Sequence, residues 1–214
     1  MRAKAKRNYH HGSLRRALIE VAVETISKRG IDGLNLRELA ARVGVSSGAP
    51  YHHFPSREEL LVAIADEGFR RLGEELIAER DAAPTRAGAR LEALGRAYVR
   101  FAISYPGYFR VMFHGDASSS GPTESGLRAF QLLRDAVSAC QDEGTAPRGD
   151  PAPLVMIAWS AVHGFATLWV DDALPFEGMN PDEMAPEIGR MVAGMFAALA
   201  RDVREAGLDP ASSS

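Results

Sequence analysis

Between Gly33 and Leu60 the chain is punctuated so closely that only short helices fit between the signals. Asn35 precedes the apolar-periodic run LRELAARV and is followed three residues later by Glu38. That is a capping box, in which the first side chain takes an amide of the first turn and the second reaches back to the cap. Leu36, Leu39, Ala40 and Val43 share one face at helical spacing. Gly44 then supplies a turn, Ser46 or Ser47 is placed to cap a second helix, and Pro50 falls within or just past its first turn. Pro55 ends that helix, and Ser56-Arg57-Glu58-Glu59 forms another capping box opening a longer helix through Leu60, Leu61, Ile64, Phe69, Leu72 and Leu76. Upstream, SLRRALIEVAVETISKRG reads as a helix capped by Ser13 and stopped at Gly30. Two short helices on a glycine turn, flanked by longer ones, have the sequence appearance of a helix-turn-helix.

The second short helix concentrates rings: Tyr51, His52, His53 and Phe54 are consecutive. Phe54 is the expected anchor to the core. Tyr51, His52 and His53 are then left facing outward, where hydroxyl and imidazole groups reach phosphates or base edges, and the small Ser47, Gly48 and Ala49 permit close approach.

Charge points the same way. The overall balance is −3, but residues 1–57 hold eleven Lys and Arg against four acids, +7, and the remaining 14 basic and 24 acidic residues give −10. A polyanion is expected at the basic end only. Met1 to Arg7 reads as a flexible arm. Cys140 is the single cysteine, so no intramolecular disulfide is expected and the chain leans towards a reducing compartment. The longest uncharged run, Leu154 to Val170, is interrupted by Ser160, His163 and Gly164 and is expected to be a buried helix, with no membrane partner. No G-x-S-x-G, H-E-x-x-H or phosphate-cradling glycine loop is present, which argues against an enzyme. Neither a cofactor nor a metal is expected, because His163 has no second ligand at suitable spacing.

The run GIDGLNLRELAARVGVSSGAPYHHFPSREELL resembles the DNA-binding unit of the TetR family of transcriptional regulators over roughly residues 10–60, through GVSSG, YHHF and SREEL. It departs at Asn35, where threonine is common, and at Arg57, where lysine is usual. The resemblance implies that Arg37, Ser47, Ala49, Pro50 and His52 lie nearest the base edges. Asn35, Tyr51, His53 and Arg57 would meet phosphates, and Ser46 and Gly48 are further candidate DNA-binding residues beside them.

In the second half, AWSAVHG resembles a Trp-x-x-x-His-Gly signature of one subgroup of TetR-like C-terminal domains, as does YVRFAISYPGYFRVMF. Trp159 and His163 stand i, i+4 on one helix face. His163 is either a satisfied core residue or a ligand contact.

The whole reads as all-α. Residues 1–57 are expected to form the basic arm and a three-helix DNA-binding domain, 58–80 a connecting helix, 81–207 a helical effector-binding and dimerisation domain, and 208–214 a flexible tail. The function implied is a cytoplasmic homodimer that binds a palindromic operator in double-stranded DNA and is released by a small molecule, with an architectural DNA binder as the alternative. Tyr98, Phe101, Phe113, Trp159 and His163 are the candidate effector lining. The last two helices, with the small Gly164, Ala166, Ala193, Gly194, Ala197 and Ala198, are the candidate dimer interface.

Overall fold

The computed structural model describes residues 11–115, 121–174 and 178–206; the arm from Met1 to Arg7 and the tail 208–214 lie outside the described residues. Among the described residues the chain is all-helical, with eight α-helices, one short 3-10 helix and no strand. By its internal contacts it divides into two compact units, one holding residues up to Glu67 together with Gly107–Gly121, the other Gly68–Pro106 and everything from Pro122. The break therefore falls inside a helix at Gly68, earlier than the seam expected near residue 81, and the segment after Gly107 returns to the first unit.

The first unit contains α1 (His11–Arg29), α2 (Leu36–Val43), the 3-10 helix (Ala49–His52), the start of α3 (Arg57–Ala82) and nearly all of α5 (Pro106–Met112). Its α1 begins at His11, so Ser13 stands inside the first turn rather than capping it. At α2 the Asn35 side chain accepts the amides of Arg37 at 2.9 Å and Glu38 at 3.4 Å. The box closes on one side only, because the Glu38 carboxylate goes to Arg29 Nη1 at 2.6 Å. Gly44, at φ 83°, ends α2 in the left-handed region; its N–H and that of Val45 return to the carbonyls of Ala41 and Ala40.

Arg42 ties α2 to α1. One terminal nitrogen donates to Thr25 Oγ1 at 2.5 Å, the other to Glu24 at 2.8 Å, and the Thr25 hydroxyl donates to the Val21 carbonyl at 2.7 Å. The buried hydroxyl is thereby satisfied on both sides. The hydrogen bonds from Lys28 and Arg42 hold the Glu24 carboxyl below its ordinary range. Leu18, Ile26, Leu39, Phe54, Leu60 and Ile64 fill the core. Against α1, α5 comes backbone to backbone: a Cβ on Gly107 would collide with the Val23 carbonyl oxygen, and Arg110 Nη1 donates to the Ser27 carbonyl at 3.2 Å.

The second unit is built on α4 (Ala87–Ser104), packed by α6 (Glu124–Asp142), α7 (Ala152–Val170) and α8 (Pro181–Glu205). Thr123 caps α6 by accepting the Gly126 amide at 3.0 Å. Asn180 caps α8 by accepting from Asp182 at 3.0 Å. The Glu143 carboxylate accepts the Ala87 amide at 2.9 and 3.0 Å, supplying the partner that the α4 N-terminus lacks in its own side chains. Glycines set the closest helix approach. A Cβ on Gly95 would lie 3.1 Å from Gly189 Cα, and one on Gly189 would lie 2.6 Å from the Glu92 carbonyl oxygen.

Two expectations about the last helices need correction. The apolar α7 is mostly uncovered within the protomer: Met156, Ile157 and Leu168 are exposed, and α8 adds Met191 at 70%, Met195 and Leu199. Of the small residues expected at an interface, Ala166 is fully buried in the protomer, Gly194 is exposed, and Gly164, Ala193, Ala197 and Ala198 are half-buried.

Candidate functional site

The candidate reading element is a single 3-10 turn. Ala49–His52 begins after Gly48, and the Ala49 amide returns to the Ser46 carbonyl at 3.0 Å, so neither Ser46 nor Ser47 caps it with a side chain. Its carboxyl end is closed by the amides of His53 and Phe54, both 2.9 Å from the Pro50 carbonyl. Phe54 is 2% exposed and anchors the turn, with the Arg15 guanidinium 5.3 Å above its ring centroid. Sequence reasoning gave Arg15 no role, since a helix wheel carries no information about a ring 39 positions away.

This geometry sorts the candidates. Asn35, Arg37, Ser46, Ser47, Gly48 and His52 are exposed, as is Tyr51 at 45%; Ala49 and His53 are half-buried. Pro50 is buried, so its ring fills the interior beneath the turn and is not presented outward as the resemblance implied. Arg57 is half-buried and its Nη2 donates to the Ile31 carbonyl at 3.0 Å, which ties the start of α3 to the α1–α2 connection. Much of the positive charge counted in the sequence is also committed internally, Arg16 to Glu20, Lys28 to Glu24, Arg29 to Glu38 and Arg42 to Glu24. Arg37, by contrast, is exposed with no side-chain partner among the described residues.

In the second unit, three of the five effector candidates meet. Tyr98 on α4 and His163 on α7 are joined by a hydrogen bond, Oη to Nδ1, of 2.8 Å. Trp159, one turn before His163, lies with its ring centroid 5.3 Å from the imidazole at 34°, and Phe130 of α6 stands edge-on to Trp159 at 6.2 Å and 88°. Burial pushes the Tyr98 phenol well above its usual range, against a hydrogen bond from the Trp159 indole. Burial lowers the His163 imidazole from its ordinary value.

Phe101 and Phe113 do not join the cluster. Phe101 is completely buried, its ring 5.2 Å from Tyr105, and Phe113 belongs to the first unit, 5.3 Å from Phe109. Phe130, which is not among the sequence candidates, is the ring that joins instead.

Residues 18–64 match the family model described as bacterial regulatory proteins, tetR family, and residues 91–193 match a tetracyclin repressor-like C-terminal domain. The chain belongs to the TetR family. The first family model spans α2 and the reading turn, the second the Tyr98–Trp159–His163 cluster. Among TetR-family relatives, the transcriptional repressor AcnR of Corynebacterium diphtheriae is 37% identical over 60 residues, covering 28% of this chain and 32% of that protein. The matches to the first curated relatives span about a third to a half of their length, 32% and 50%. A solved structure from Rhodococcus sp. RHA1, of unknown function, is 34% identical over 90% of this chain and 100% of that one, with a TM-score of 0.73. AibR, solved with isovaleryl coenzyme A and operator DNA, shares the fold at a TM-score of 0.64 and 22% identity, covering 86% of this chain and 98% of that one.

Proposed function

We propose that this TetR-family chain is a cytoplasmic, homodimeric transcriptional repressor that binds a palindromic operator and leaves it when a small molecule occupies the Tyr98–Trp159–His163 cluster. The observation that carries the DNA-reading half is the turn itself: Tyr51 and His52 stand exposed on an element pinned below by Phe54 and Pro50 and preceded by the exposed Ser46, Ser47 and Gly48. Base edges are read by His52 with Ser47 and Ala49. Tyr51 and Asn35 contact phosphates, as does Arg37, which the resemblance puts nearest the base edges, while Arg57 positions the start of α3.

Dimerisation follows from the exposed apolar faces of α7 and α8. Met156, Ile157, Leu168, Met191, Met195 and Leu199 are a costly surface for a soluble protomer and a natural one to bury against a second copy. One reading turn gives little affinity, whereas two on a dimer sum their phosphate and base contacts over two half-sites. The Trp159–His163–Gly164 run supports assigning the second unit to the Trp-x-x-x-His-Gly subgroup. AibR, solved in complex with isovaleryl coenzyme A and operator DNA, and AcnR, named a repressor, support a ligand-responsive repressor over an architectural binder.

The test is selection of bound sequences from a random DNA pool. A two-fold symmetric consensus is expected, with half-site centres about one helical turn apart. A consensus without symmetry, or none at all, would refute dimeric readout.

A further inference from the structure

Resting on the DNA-reading turn proposed above, we infer that Arg15 of α1 is a further DNA-binding residue, a phosphate contact seated on the ring that anchors the turn. The cations of the first unit sort by what each already holds. Arg16, Lys28, Arg29 and Arg42 are paired with carboxylates, and Arg57 and Arg110 donate to the carbonyls of Ile31 and Ser27. Among the described residues of that unit, Arg15 and Arg37 are the exposed arginines whose guanidinium has neither an ion pair nor a hydrogen bond. For Arg15 the sequence shows why. The positions three and four residues away on α1 are His11, Gly12, Leu18 and Ile19, with no acid among them, whereas Arg16 has Glu20 one turn on, at 2.8 Å.

Position decides what that charge can do. The Arg15 guanidinium lies 5.3 Å from the centroid of the Phe54 ring. Phe54 closes the reading turn, its amide returning to the Pro50 carbonyl at 2.9 Å, and it follows the exposed His52 by two residues, at most about 7 Å of chain. A major groove is about 12 Å wide and is bounded on both sides by phosphates. With His52 at the base edges, a cation held this close to it stands at a groove wall.

The ring matters as much as the charge. An aromatic face attracts a guanidinium but carries no net charge, so Phe54 holds Arg15 without neutralising it, which a carboxylate would do. Phe54 is packed into the core, and a long side chain resting on it is ordered before DNA arrives, which lowers the entropy lost on contact. The phosphate contact and the reading turn thus share one anchor.

The test is fluorescence anisotropy of the full-length protein on a labelled mixed-sequence duplex of about 30 bp, titrated from about 50 to 200 mM KCl. Arg15→Gln is expected to lower the slope of log affinity against log salt by about one unit per bound protomer, so that the parent's loss of affinity across that range exceeds the variant's by about three- to fourfold for each protomer. Arg15→Lys, which keeps the charge, is expected to keep the slope, and so is Arg16→Gln, one residue away but already paired. Arg15 is exposed, so none of these substitutions opens a cavity. An Arg15→Gln protein with a lowered melting temperature and the parent's slope would overturn the contact, make Arg15 structural and leave DNA reading standing. Equal falls in slope for Arg15→Gln and Arg16→Gln would also overturn it, because the effect would then be the general field of α1. A parent that does not bind the duplex, or binds it without salt dependence, would overturn the contact and the DNA-reading function together.

Discussion

The glycine crossing between α4 and α8 makes a quantitative prediction. A methyl group added at position 189 would stand 2.6 Å from the Glu92 carbonyl oxygen, a fixed backbone atom. Relieving it requires the helices to part by roughly 0.8 Å, enough to forfeit dispersion contacts along the whole seam. Overpacking of this kind costs about 1–3 kcal/mol. The better helix propensity of alanine returns up to about 1 kcal/mol, so Gly189→Ala should lose about 1–2 kcal/mol net. In a chain of this length that lowers the melting midpoint by about 2–8 °C. At Gly95 the nearest neighbours are Gly189 Cα at 3.1 Å and Val162 Cγ1 at 3.5 Å, so Gly95→Ala should cost less. Gly73, inside α3 with nothing within 4 Å, is the control of opposite sign; its alanine variant should gain up to about 1 kcal/mol. Thermal melts followed by far-UV circular dichroism would order the four proteins as Gly189→Ala, Gly95→Ala, parent, Gly73→Ala. A Gly189→Ala protein melting at or above the parent would refute the close crossing.

At the reading turn, His52→Ala should relax discrimination at one position per half-site by about 1–3 kcal/mol in competition binding, whereas an unchanged sequence preference would return His52 to a solvent role. Arg37→Ala should lower the slope of log affinity against log salt by about one unit, and Tyr51→Ala should weaken all sequences alike. Arg57→Ala should leave that slope nearly unchanged and instead cost about 1–2 kcal/mol of stability through the lost bond to Ile31; a slope change of a full unit would make Arg57 a phosphate contact after all. Met191→Glu places a carboxylate on the apolar face of α8 and should weaken self-association by roughly two orders of magnitude in sedimentation equilibrium. The depressed His163 has its own pH signature. The unfolded chain takes up a proton near the ordinary value of 6.5 while the folded chain resists, so stability is full above that pH and is lost as pH falls below it. His163→Gln should flatten the melting-temperature profile between pH 7 and 5 relative to the parent.

Legibility from sequence tracked the range of each interaction. The caps at Asn35 and Ser56 and the stop at Gly44 were readable because a side chain meets an amide two or three residues away, and the structure keeps all three. Glu38 was misdirected by the same rule, since Arg29, nine residues back, arrives only once α1 and α2 pack. Pro50 is put near the base edges only by the resemblance, which carries residue types over and not the turn's own packing. A 3-10 turn advances 120° per residue instead of 100° and rotates its faces accordingly. In the second unit Trp159 and His163 are legible as neighbours from their i, i+4 spacing, while the meeting with Phe130 is not, because no local pattern says which rings of different helices will meet. Gly95 and Gly189 carry no sequence signal beyond being poor helix formers.

The return of α5 to the first unit bears on how the molecule is made. The reading turn and α1 are synthesised early, but the surface of α1 around Val23 is covered by Gly107, and Gly68–Pro106 must be polymerised in between. At roughly 5–20 residues per second that is about 2–8 s during which the nascent unit lacks one of its walls. A fragment cut at Glu67 would remain in that unfinished state permanently, so a DNA-reading piece able to stand by itself calls for a linker bridging Glu67 to Gly107 rather than a stop codon.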